Sequence, residues 1–416
     1  MTPAWIVEVG AQVSATDSAL STRARGLQPS PTMAMDAAAK RLQAEGRDLV
    51  NLTAGEPDFP TVSSAADAAV RAIAEGFTHY TAAAGIAELR IAIAEKLRRE
   101  NGAEYAPDQI AVTPGAKYAL YAAMQVLCDP GDEVLVALPY WVSYPDQAKL
   151  AGAQPVFIDT RAEDGFRLRA ADVARALGTR SKVLVLNTPC NPTGAVIPPE
   201  EIEAIGEVVL SHPRLMVLSD EIYEKMIYGS ERHRSMAAVS PELWRRTVTV
   251  NGFSKAFSMT GWRVGYTAAP PEVARAIANF LSQTTSNVTS VAQRAALGAL
   301  RGPAAEVDDM VAEFARRRAY VLDRIGRMRH LRCTAPGGAF YVFPHAAGVI
   351  GRRTPSGRAL PDIDAFCMAL MEEAGLGTVP GSGFGAPEYL RISYAAAMAQ
   401  LEAGCDRLDG FLRGLA

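Results

Sequence analysis

The chain has 416 residues and carries a formal net charge of −3, with a pI of about 6.1. Apolar residues make up 49% of the chain and charged residues 21%, as in an ordinary folded globular protein. This balance excludes the basic charge pattern of a nucleic-acid-binding protein, and the length predicts two domains instead of one compact core.

The first predicted segments, in chain order, are a tail and two helices. Residues 1–17 lack the basic start and the long apolar run of a signal peptide, so we expect them to form a loosely held tail. Ala65–Glu75 and Ile86–Arg99 are rich in alanine and place charged residues at helical spacing. Both segments are predicted to be amphipathic helices.

The middle of the chain alternates between short β-branched runs and helical segments such as Ala116–Cys128 and Pro199–Ser211. Continuous apolar strands separated by helices indicate an α/β fold whose mostly parallel sheet is covered on both faces. The predicted strands are Gln109–Thr113, Glu133–Ala137, Pro155–Asp159, Lys182–Asn187, Leu215–Asp220, Thr247–Asn251 and Val264–Thr267.

The last third of the chain has a different pattern. Val307–Met328 is predicted to be one long charged helix, and the run GGAFYVFP, a further helix and a short YLRISY strand follow it. This mixture is typical of an α+β unit. We therefore expect a large domain of residues 62–302 and a smaller α+β domain of residues 18–61 together with 303–416.

The five cysteines are scattered along the chain and form no CxxC pair. This arrangement predicts neither a disulfide framework nor a metal site, and it favours a reducing cytoplasm. No stretch approaches the roughly 20 apolar residues of a membrane span, so no membrane association is expected.

Chemically useful residues follow several of the predicted strands, where ligands bind in open parallel sheets. Gly115 stands after the first strand, at a helix start whose free N–H groups can bind phosphate. Trp141 follows the next strand and can stack on a flat ring. Asn187 ends a later strand, and two proline-containing turns place Asn191 just beyond it.

Two charged residues complete this set of strand ends. Asp220 ends an apolar strand, where a carboxylate is costly to bury without a cation such as a protonated pyridine nitrogen. Lys255 follows the next strand among apolar residues such as Phe253 and Trp262, and their burial of the amine would lower its pKa, as a Schiff-base nucleophile requires. Arg263 offers a fork of donors to a phosphate.

Each of these residues alone has an ordinary structural explanation: a plain turn, a core tryptophan, a helix N-cap or a solvated lysine. Together they are the groups needed to bind a phosphorylated pyridine aldehyde at one edge of a sheet. The sequence therefore predicts an enzyme that carries pyridoxal 5'-phosphate as a Schiff base on Lys255.

Motifs along most of the chain support this prediction. From about Arg25 onward the sequence resembles the fold-type-I, class I aminotransferases that depend on pyridoxal phosphate, and within them the bacterial aspartate aminotransferase branch. The blocks that carry the resemblance are GEPDF (55–59), HYTAAAGIAELR (79–90), PYWVSYP (139–145), NTPCNPTGAV (187–196), SDEIYE (219–224), NGFSKAFSMTGWRVGY (251–266), GGAFYVFP (337–344), VPGSGFG (379–385) and RISYA (391–395).

The resemblance implies roles for the residues that match the family motifs. Lys255, Asp220 and Tyr223 would be the catalytic residues: Lys255 binds the cofactor and moves the proton, and Asp220 pairs with the ring nitrogen. Tyr223 and Asn191 would hydrogen-bond the phenolic oxygen of the ring. The remaining cofactor contacts would come from Trp141 on the ring face, from Gly115, Ala116, Ser254 and Arg263 at the phosphate, and from Tyr80 of a neighbouring subunit.

For the substrate, the resemblance implies that Arg391 takes the α-carboxylate, supported by Asn187 and Gly55, with Trp141 against the same pocket. Lys117, Ser30 and Thr32 match the positions that bind the distal carboxylate of acidic substrates in the bacterial branch. A solvated lysine at a helix start is the alternative for Lys117.

These roles imply ping-pong transfer of an amino group between an amino acid, of the aspartate or glutamate type, and a 2-oxo acid. Two alternatives stay open: elimination, replacement or another reaction at Cα on the same scaffold, and a non-catalytic regulator. The family further implies a homodimer with shared active sites.

Overall fold

The computed structural model describes residues 19–27 and 29–416, so the predicted tail of residues 1–17 lies outside the described residues. In this part of the chain the strands are β1 Val50–Asn51, β2 Ile110–Thr113, β3 Glu133–Leu138, β4 Gln154–Asp159, β5 Ser181–Asn187, β6 Met216–Asp220, β7 Thr247–Gly252, β8 Gly265–Ala268, β9 Tyr341–Val342, β10 Leu376–Gly377, β11 Val379–Pro380 and β12 Leu390–Ser393. The helices are α1 Thr22–Gly26, α2 Pro31–Ala44, α3 Ser63–Ala74, α4 Ala87–Lys96, α5 Ala116–Leu127, α6 Tyr144–Leu150, α7 Ala170–Ala176, α8 Pro199–Ser211, α9 Pro241–Trp244, α10 Pro271–Thr284, α11 Ser290–Arg301, α12 Ala305–Gly326, α13 Ile363–Ala374 and α14 Met398–Arg413.

A seven-stranded sheet forms the centre of the molecule, with the strand order β2-β8-β7-β6-β5-β3-β4. The pairs from β4 through β7 are all parallel, whereas β8 is antiparallel to both β2 and β7. The predicted mostly parallel α/β sheet is therefore confirmed. Each of the seven predicted strands is present, and no strand end differs from its predicted position by more than one residue.

Burial on both faces explains why the strand sequences are continuously apolar. In β5, Val183 and Val185 belong to a core cluster that includes side chains of α5 and α10. Leu184 and Leu186 point into a second cluster that includes side chains of α8. Successive strand residues alternate between faces, so a sheet covered on both sides needs apolar residues at every position.

The segment Ile86–Arg99, predicted to be a helix, is helical in the structure, but it is not an α-helix along its whole length. The α-helix α4 ends at Lys96 and continues as a π-helical turn over Leu97–Asn101. Gly102 then takes a left-handed conformation with φ of 69°, which a glycine adopts without steric cost. Lys96 and Asn101 are thereby brought near the end of β6, as described below.

Outside the central sheet, the C-terminal third contains helices and short strands, as predicted. Strands β11, β12 and β9 form a three-stranded antiparallel sheet. The N-terminal strand β1 pairs in parallel with β10, which joins the two chain segments assigned to the smaller domain. Within the described residues, none of the helices combines the length and the apolar character needed to cross a bilayer.

Candidate active site

The carboxyl ends of the parallel strands meet at one cleft of about 430 Å³. The strand register brings them together, since Asn187 lies beside Asp220 and Asp220 beside Val250 in adjacent strands. The predicted site residues that line the cleft are Ser30, Thr32, Gly55, Ala116, Lys117, Trp141, Asn187, Asn191, Asp220, Tyr223, Ser254, Lys255, Arg263 and Arg391.

The turn between β2 and α5 forms an anion-binding corner. Gly115 has a φ of 85°, and a Cβ atom at this position would lie 2.5 Å from Nη2 of Arg263. The N–H groups at the start of α5 are free of helical partners, and the guanidinium lies beside them. Arg263 itself has a φ of 55° and donates from Nη1 to the carbonyl of Thr260 at 2.8 Å. This corner can bind a phosphate group.

Asp220 ends β6 as a buried carboxylate with neutral partners. The Tyr144 hydroxyl donates to Oδ2 of Asp220 at 2.7 Å, and the backbone N–H of Ile222 donates to Oδ1 at 3.3 Å. Burial raises the pKa of Asp220 to about 6, although the hydrogen bond from Tyr144 opposes this shift. None of the ion pairs found among the described residues includes Asp220, so the carboxylate can accept a cation from a ligand.

Lys255 lies in the floor of the cleft, where its Nζ donates to the carbonyl oxygen of Gly55. Burial lowers the pKa of Lys255 to about 8, and the positive charges of Arg391 and Arg263 act in the same direction. The amine is therefore closer to its neutral, nucleophilic form at neutral pH than an exposed lysine is.

The rings close to this ammonium differ from those expected from the sequence. Nζ of Lys255 lies 6.0 Å from the ring centre of Tyr223 and 5.8 Å from that of Phe340. Phe253 instead packs in a separate core cluster, and Trp262 is partly buried against that cluster and donates to Thr61. The expected desolvation of Lys255 is therefore present, but residues distant in sequence contribute to its surroundings.

Arg391 is a buried cation whose described partners are neutral. Nη1 donates to Oδ1 of Asn191 at 3.0 Å, and Nη2 donates to the carbonyl of Thr53 at 2.8 Å. The guanidinium carbon lies 4.5 Å from the ring centre of Tyr341 and 5.1 Å from that of Phe384. Its buried Nε has no hydrogen-bond partner. Such a guanidinium is free to bind a carboxylate.

Three candidate specificity residues lie at another part of the cleft wall. The hydroxyl oxygens of Ser30 and Thr32 are 2.9 Å apart at the start of α2. Nζ of Lys117 lies 5.0 Å from the ring centre of Trp141. The Lys117 side chain is exposed, while partial burial of its amine and the charge of Arg263 both lower its pKa, so a solvated helix-start lysine stays the alternative.

Two predicted residues lie outside the lining of the cleft. Gly115 borders it through the contact with Arg263 described above. Tyr80 is 91% exposed and does not line the cleft of this chain. Its position leaves it available to a neighbouring molecule.

Two further tyrosines at the site were not identified from the sequence. Tyr144 donates to Asp220, and the Tyr341 hydroxyl lies 2.8 Å from the hydroxyl of Tyr223. Both residues fall within motif blocks, PYWVSYP and GGAFYVFP, but neither follows a predicted sheet strand directly. The search of strand ends therefore missed them.

A second buried polar cluster lies directly behind Asp220. Oε2 of Glu221 accepts from His233 at 3.1 Å and from Asn101 at 3.3 Å. The ammonium of Lys96 contacts Glu224, and this charge helps to hold the pKa of Glu224 at about 2 despite burial. Because Lys96 already supplies the cation, we interpret the cluster as a support for the end of β6.

The donors and acceptors of the cleft fit a phosphorylated pyridine aldehyde. Asp220 is a buried acceptor without an ion-pair partner among the described residues, and Lys255 is a desolvated amine. The Gly115 turn lets the Arg263 guanidinium approach the start of α5, because a Cβ atom at this position would clash with it. Trp141 lines the same cleft as a flat apolar surface. These four features match the four functional parts of pyridoxal phosphate.

Comparisons with known proteins agree with this geometry. The sequence profile of the aminotransferase class I and II family matches residues 47–408. The chain is 44% identical to the aspartate aminotransferase of Geobacillus stearothermophilus over 95% of this chain and 100% of that protein. It is 43% identical to the aspartate/prephenate aminotransferase of Cereibacter sphaeroides, covering 95% and 99% of the two chains. The crystal structure of the aspartate aminotransferase from Rhizobium meliloti superposes with a TM-score of 0.91 at 40% identity, covering 95% and 99%.

Proposed function

The chain belongs to the class I and II aminotransferase family and is a pyridoxal-phosphate-dependent enzyme, and from that premise we propose that it transfers amino groups between an acidic amino acid and a 2-oxo acid. The observation that carries the proposal is the meeting of Lys255, Asp220 and Arg391 in one cleft. A desolvated amine, an unpaired carboxylate and an unpaired guanidinium are what the cofactor and the α-carboxylate of an amino acid require.

We propose roles for the cofactor-binding residues on the basis of their positions. Gly115, Ala116, Ser254 and Arg263 hold the phosphate, and Trp141 covers one face of the ring. Asp220 keeps the ring nitrogen protonated, because its buried carboxylate gains a cationic partner. Tyr223 and Asn191 hydrogen-bond the ring oxygen.

When bound, pyridoxal phosphate supplies an electron-withdrawing ring that favours loss of the proton from the substrate Cα. Lys255 would hold the cofactor through Nζ. Once the substrate amine takes that place, the released Nζ is a free amine that would take up the Cα proton and, as an ammonium, give it up again. Arg391 orients the substrate by binding its α-carboxylate, supported by Asn187, while Gly55 leaves room beside it. The second oxo acid is aminated by the reverse of these steps, which gives ping-pong kinetics.

The residues at one part of the cleft wall support a preference for substrates with an acidic side chain. Lys117, Ser30 and Thr32 all line it and offer one cation and two hydroxyl groups to a distal carboxylate. Several similar proteins are described as aspartate aminotransferases, and a related structure from Thermus thermophilus contains maleate, a dicarboxylate. We therefore propose aspartate or glutamate as the amino donor.

Replacing Lys117 by alanine should raise the KM for aspartate about tenfold or more and leave the KM for neutral amino acids nearly unchanged. The expected loss of binding free energy for aspartate is about 1.5–3 kcal/mol, as for a hydrogen bond to a charged group. Steady-state kinetics on aspartate and alanine measure the ratio. Lys149→Ala is a matched control, since Lys149 is exposed and pairs only with Asp146 in the described chain. Equal effects on both substrates would contradict the role of Lys117.

The reaction type is tested with a single substrate. Aspartate added without an oxo acid should release about one equivalent of oxaloacetate per active site and then stop, because the amino group stays on the enzyme. Glutamate should behave in the same way. An enzyme that instead releases ammonia continuously, with many turnovers, would be a lyase of the same scaffold. A purified protein with no cofactor absorbance would favour a non-catalytic role.

We also propose a homodimer in which Tyr80 of one subunit contacts the phosphate site of the other. The exposed position of Tyr80 supports this assignment. The proposed division into residues 62–302 and residues 18–61 with 303–416 would let the smaller part close over the substrate. Sedimentation of a monomer at assay concentration would contradict the shared site.

The cysteines support a cytoplasmic location, because all five are free thiols. Fractionation of the source cells tests this proposal, and recovery in an oxidising compartment would contradict it.

A further inference from the structure

The two buried tyrosines Tyr223 and Tyr341 form a hydroxyl pair at the wall of the cleft. Their oxygens are 2.8 Å apart, and both side chains are buried. Tyr223 comes from the segment after β6, whereas Tyr341 begins β9 in the C-terminal third of the chain. The pair therefore joins the central sheet to the small antiparallel sheet.

Tyr341 also contacts the carboxylate receptor. The pairing of β9 with β12 places Tyr341 opposite Ser393, two residues after Arg391. As a result, the guanidinium of Arg391 lies over the Tyr341 ring at 4.5 Å. A cation at this distance from a phenol makes its hydroxyl a better hydrogen-bond donor and stabilises the ionised form.

The Tyr341 hydroxyl is held in place on a third side. A Cβ atom at Gly55 would lie 2.8 Å from this hydroxyl, so the backbone of Gly55 approaches it closely. The carbonyl of the same glycine accepts the hydrogen bond from Lys255. Tyr341 thus contacts Arg391, which we assign to the substrate carboxylate, and Tyr223, which we assign to the cofactor. It also lies against Gly55, whose carbonyl accepts from Lys255.

We propose that Tyr341 is a positioning residue that couples carboxylate binding at Arg391 to the hydrogen bond that Tyr223 makes with the cofactor. This inference rests on the proposed function. The 2.8 Å distance allows either hydroxyl to be the donor, but a phenol has one proton, so a Tyr223 that donates to the ring oxygen must accept from Tyr341. When a carboxylate pairs with Arg391 and balances its charge, Tyr341 becomes a weaker donor to Tyr223. The Tyr223 hydroxyl then donates less strongly to the ring oxygen, which favours the protonated form of the Lys255-bound cofactor.

Other charges also face this hydroxyl pair. Arg391 acts on both tyrosines, Asp220 lies on the β6 side of Tyr223, and the Lys255 ammonium lies 6.0 Å from the Tyr223 ring centre. Asp220 opposes ionisation of Tyr223, whereas Arg391 favours it. Succinate adds negative charge beside Arg391 and, in the proposed function, beside Lys117, and Arg391 also donates to Asn191. The difference in succinate response between the unsubstituted enzyme and Tyr341→Phe therefore isolates the contribution that passes through Tyr341.

The test is a spectroscopic titration of the holoenzyme with and without saturating succinate, a dicarboxylate that lacks an amino or oxo group. In the unsubstituted enzyme, succinate should raise the pH midpoint of the cofactor absorption change. In the Tyr341→Phe variant this rise should be smaller by about 0.7 pH units, equal to about a fivefold loss of coupling between the two sites. The measurement does not depend on turnover.

Two further variants distinguish coupling from general damage. Tyr394→Phe is the matched control, since Tyr394 is a buried tyrosine that donates to the carbonyl of Ala339 and does not line the cleft. Its succinate response should equal that of the unsubstituted enzyme. In a Tyr223→Phe background, adding Tyr341→Phe should cause no further change in the succinate-induced rise of the pH midpoint. Tyr341 then has no Tyr223 hydroxyl through which to act on the cofactor.

An unchanged succinate response in Tyr341→Phe would overturn the inference. An equal shift of the midpoint with and without succinate would also overturn it, since Tyr341 would then act on the cofactor alone. The complete absence of a cofactor absorption band in the unsubstituted protein is a different outcome, and it would contradict the proposed function itself.

Discussion

Replacing Lys255 by alanine should reduce transamination by at least about 10⁴-fold. In the proposed function Lys255 both attaches the cofactor and moves the proton, and proton transfer by a positioned side chain alone contributes about 10²–10⁴-fold. Two other lysines of the described chain line the cleft, but Lys117 lies over Trp141 and Lys40 pairs with Asp36, so neither is placed as Lys255 is. The rate of oxaloacetate formation from aspartate and 2-oxoglutarate measures the loss.

Two controls make this result specific. Lys149→Ala removes an exposed lysine and should keep the full rate. Lys255→Ala should still bind the cofactor without a covalent bond, because the phosphate and ring contacts involve other residues. Normal turnover in Lys255→Ala would contradict the assignment of the catalytic amine, whatever the substrate.

The Asp220→Asn substitution should lower kcat by about 10²–10³-fold with little change in fold. Asparagine has nearly the same shape and can still accept the hydrogen bond from Tyr144, but it cannot keep the ring nitrogen charged. Single-turnover kinetics with aspartate measure the chemical step. Tyr144→Phe is the comparison variant, and it should have a smaller effect because the carboxylate remains. A kcat within tenfold of the unsubstituted enzyme would exclude the proposed charge pairing.

The pH dependence of stability provides an independent check of Asp220. Its pKa of about 6 in the folded protein lies above the ordinary 3.8, so the folded protein without cofactor binds more protons between these values. Stability contributed by this carboxyl therefore falls as pH rises from about 4 to 6, by up to about 3 kcal/mol. Cofactor-free Asp220→Asn should lack that slope in chemical unfolding and should not be less stable at pH 7.

Much of the central sheet could be predicted because its signals are local. A strand buried on both faces is apolar at every position, and β5 and β6 are recognisable from that alone. Residues at the ends of such strands must then share one edge of the sheet. This reasoning brought Trp141, Asp220 and Lys255 together, and the structure shows all three in the lining of one cleft.

The parts that the sequence did not predict depend on contacts between distant segments. Tyr341 reaches Tyr223 across 118 positions, and Thr53 accepts from Arg391 across 338 positions. The two-residue strands β1 and β10 form only through pairing with each other, so neither has a periodic pattern of its own. The π-helical turn after α4 likewise has no spacing signal, since its residues continue the helical pattern of Ile86–Arg99.

Two buried arginines differ in how their charges are balanced by their neighbours. Arg317 is paired with both Asp58 and Glu313, as most buried cations are. Arg391, by contrast, has a carbonyl, an amide oxygen and two aromatic rings around it in the described part of the chain. Its burial without a counter-ion is a cost that the folded protein carries alone. If the substrate carboxylate binds Arg391 as proposed, the ion pair would offset this cost, so a bound carboxylate should stabilise the folded protein as well as orient the substrate.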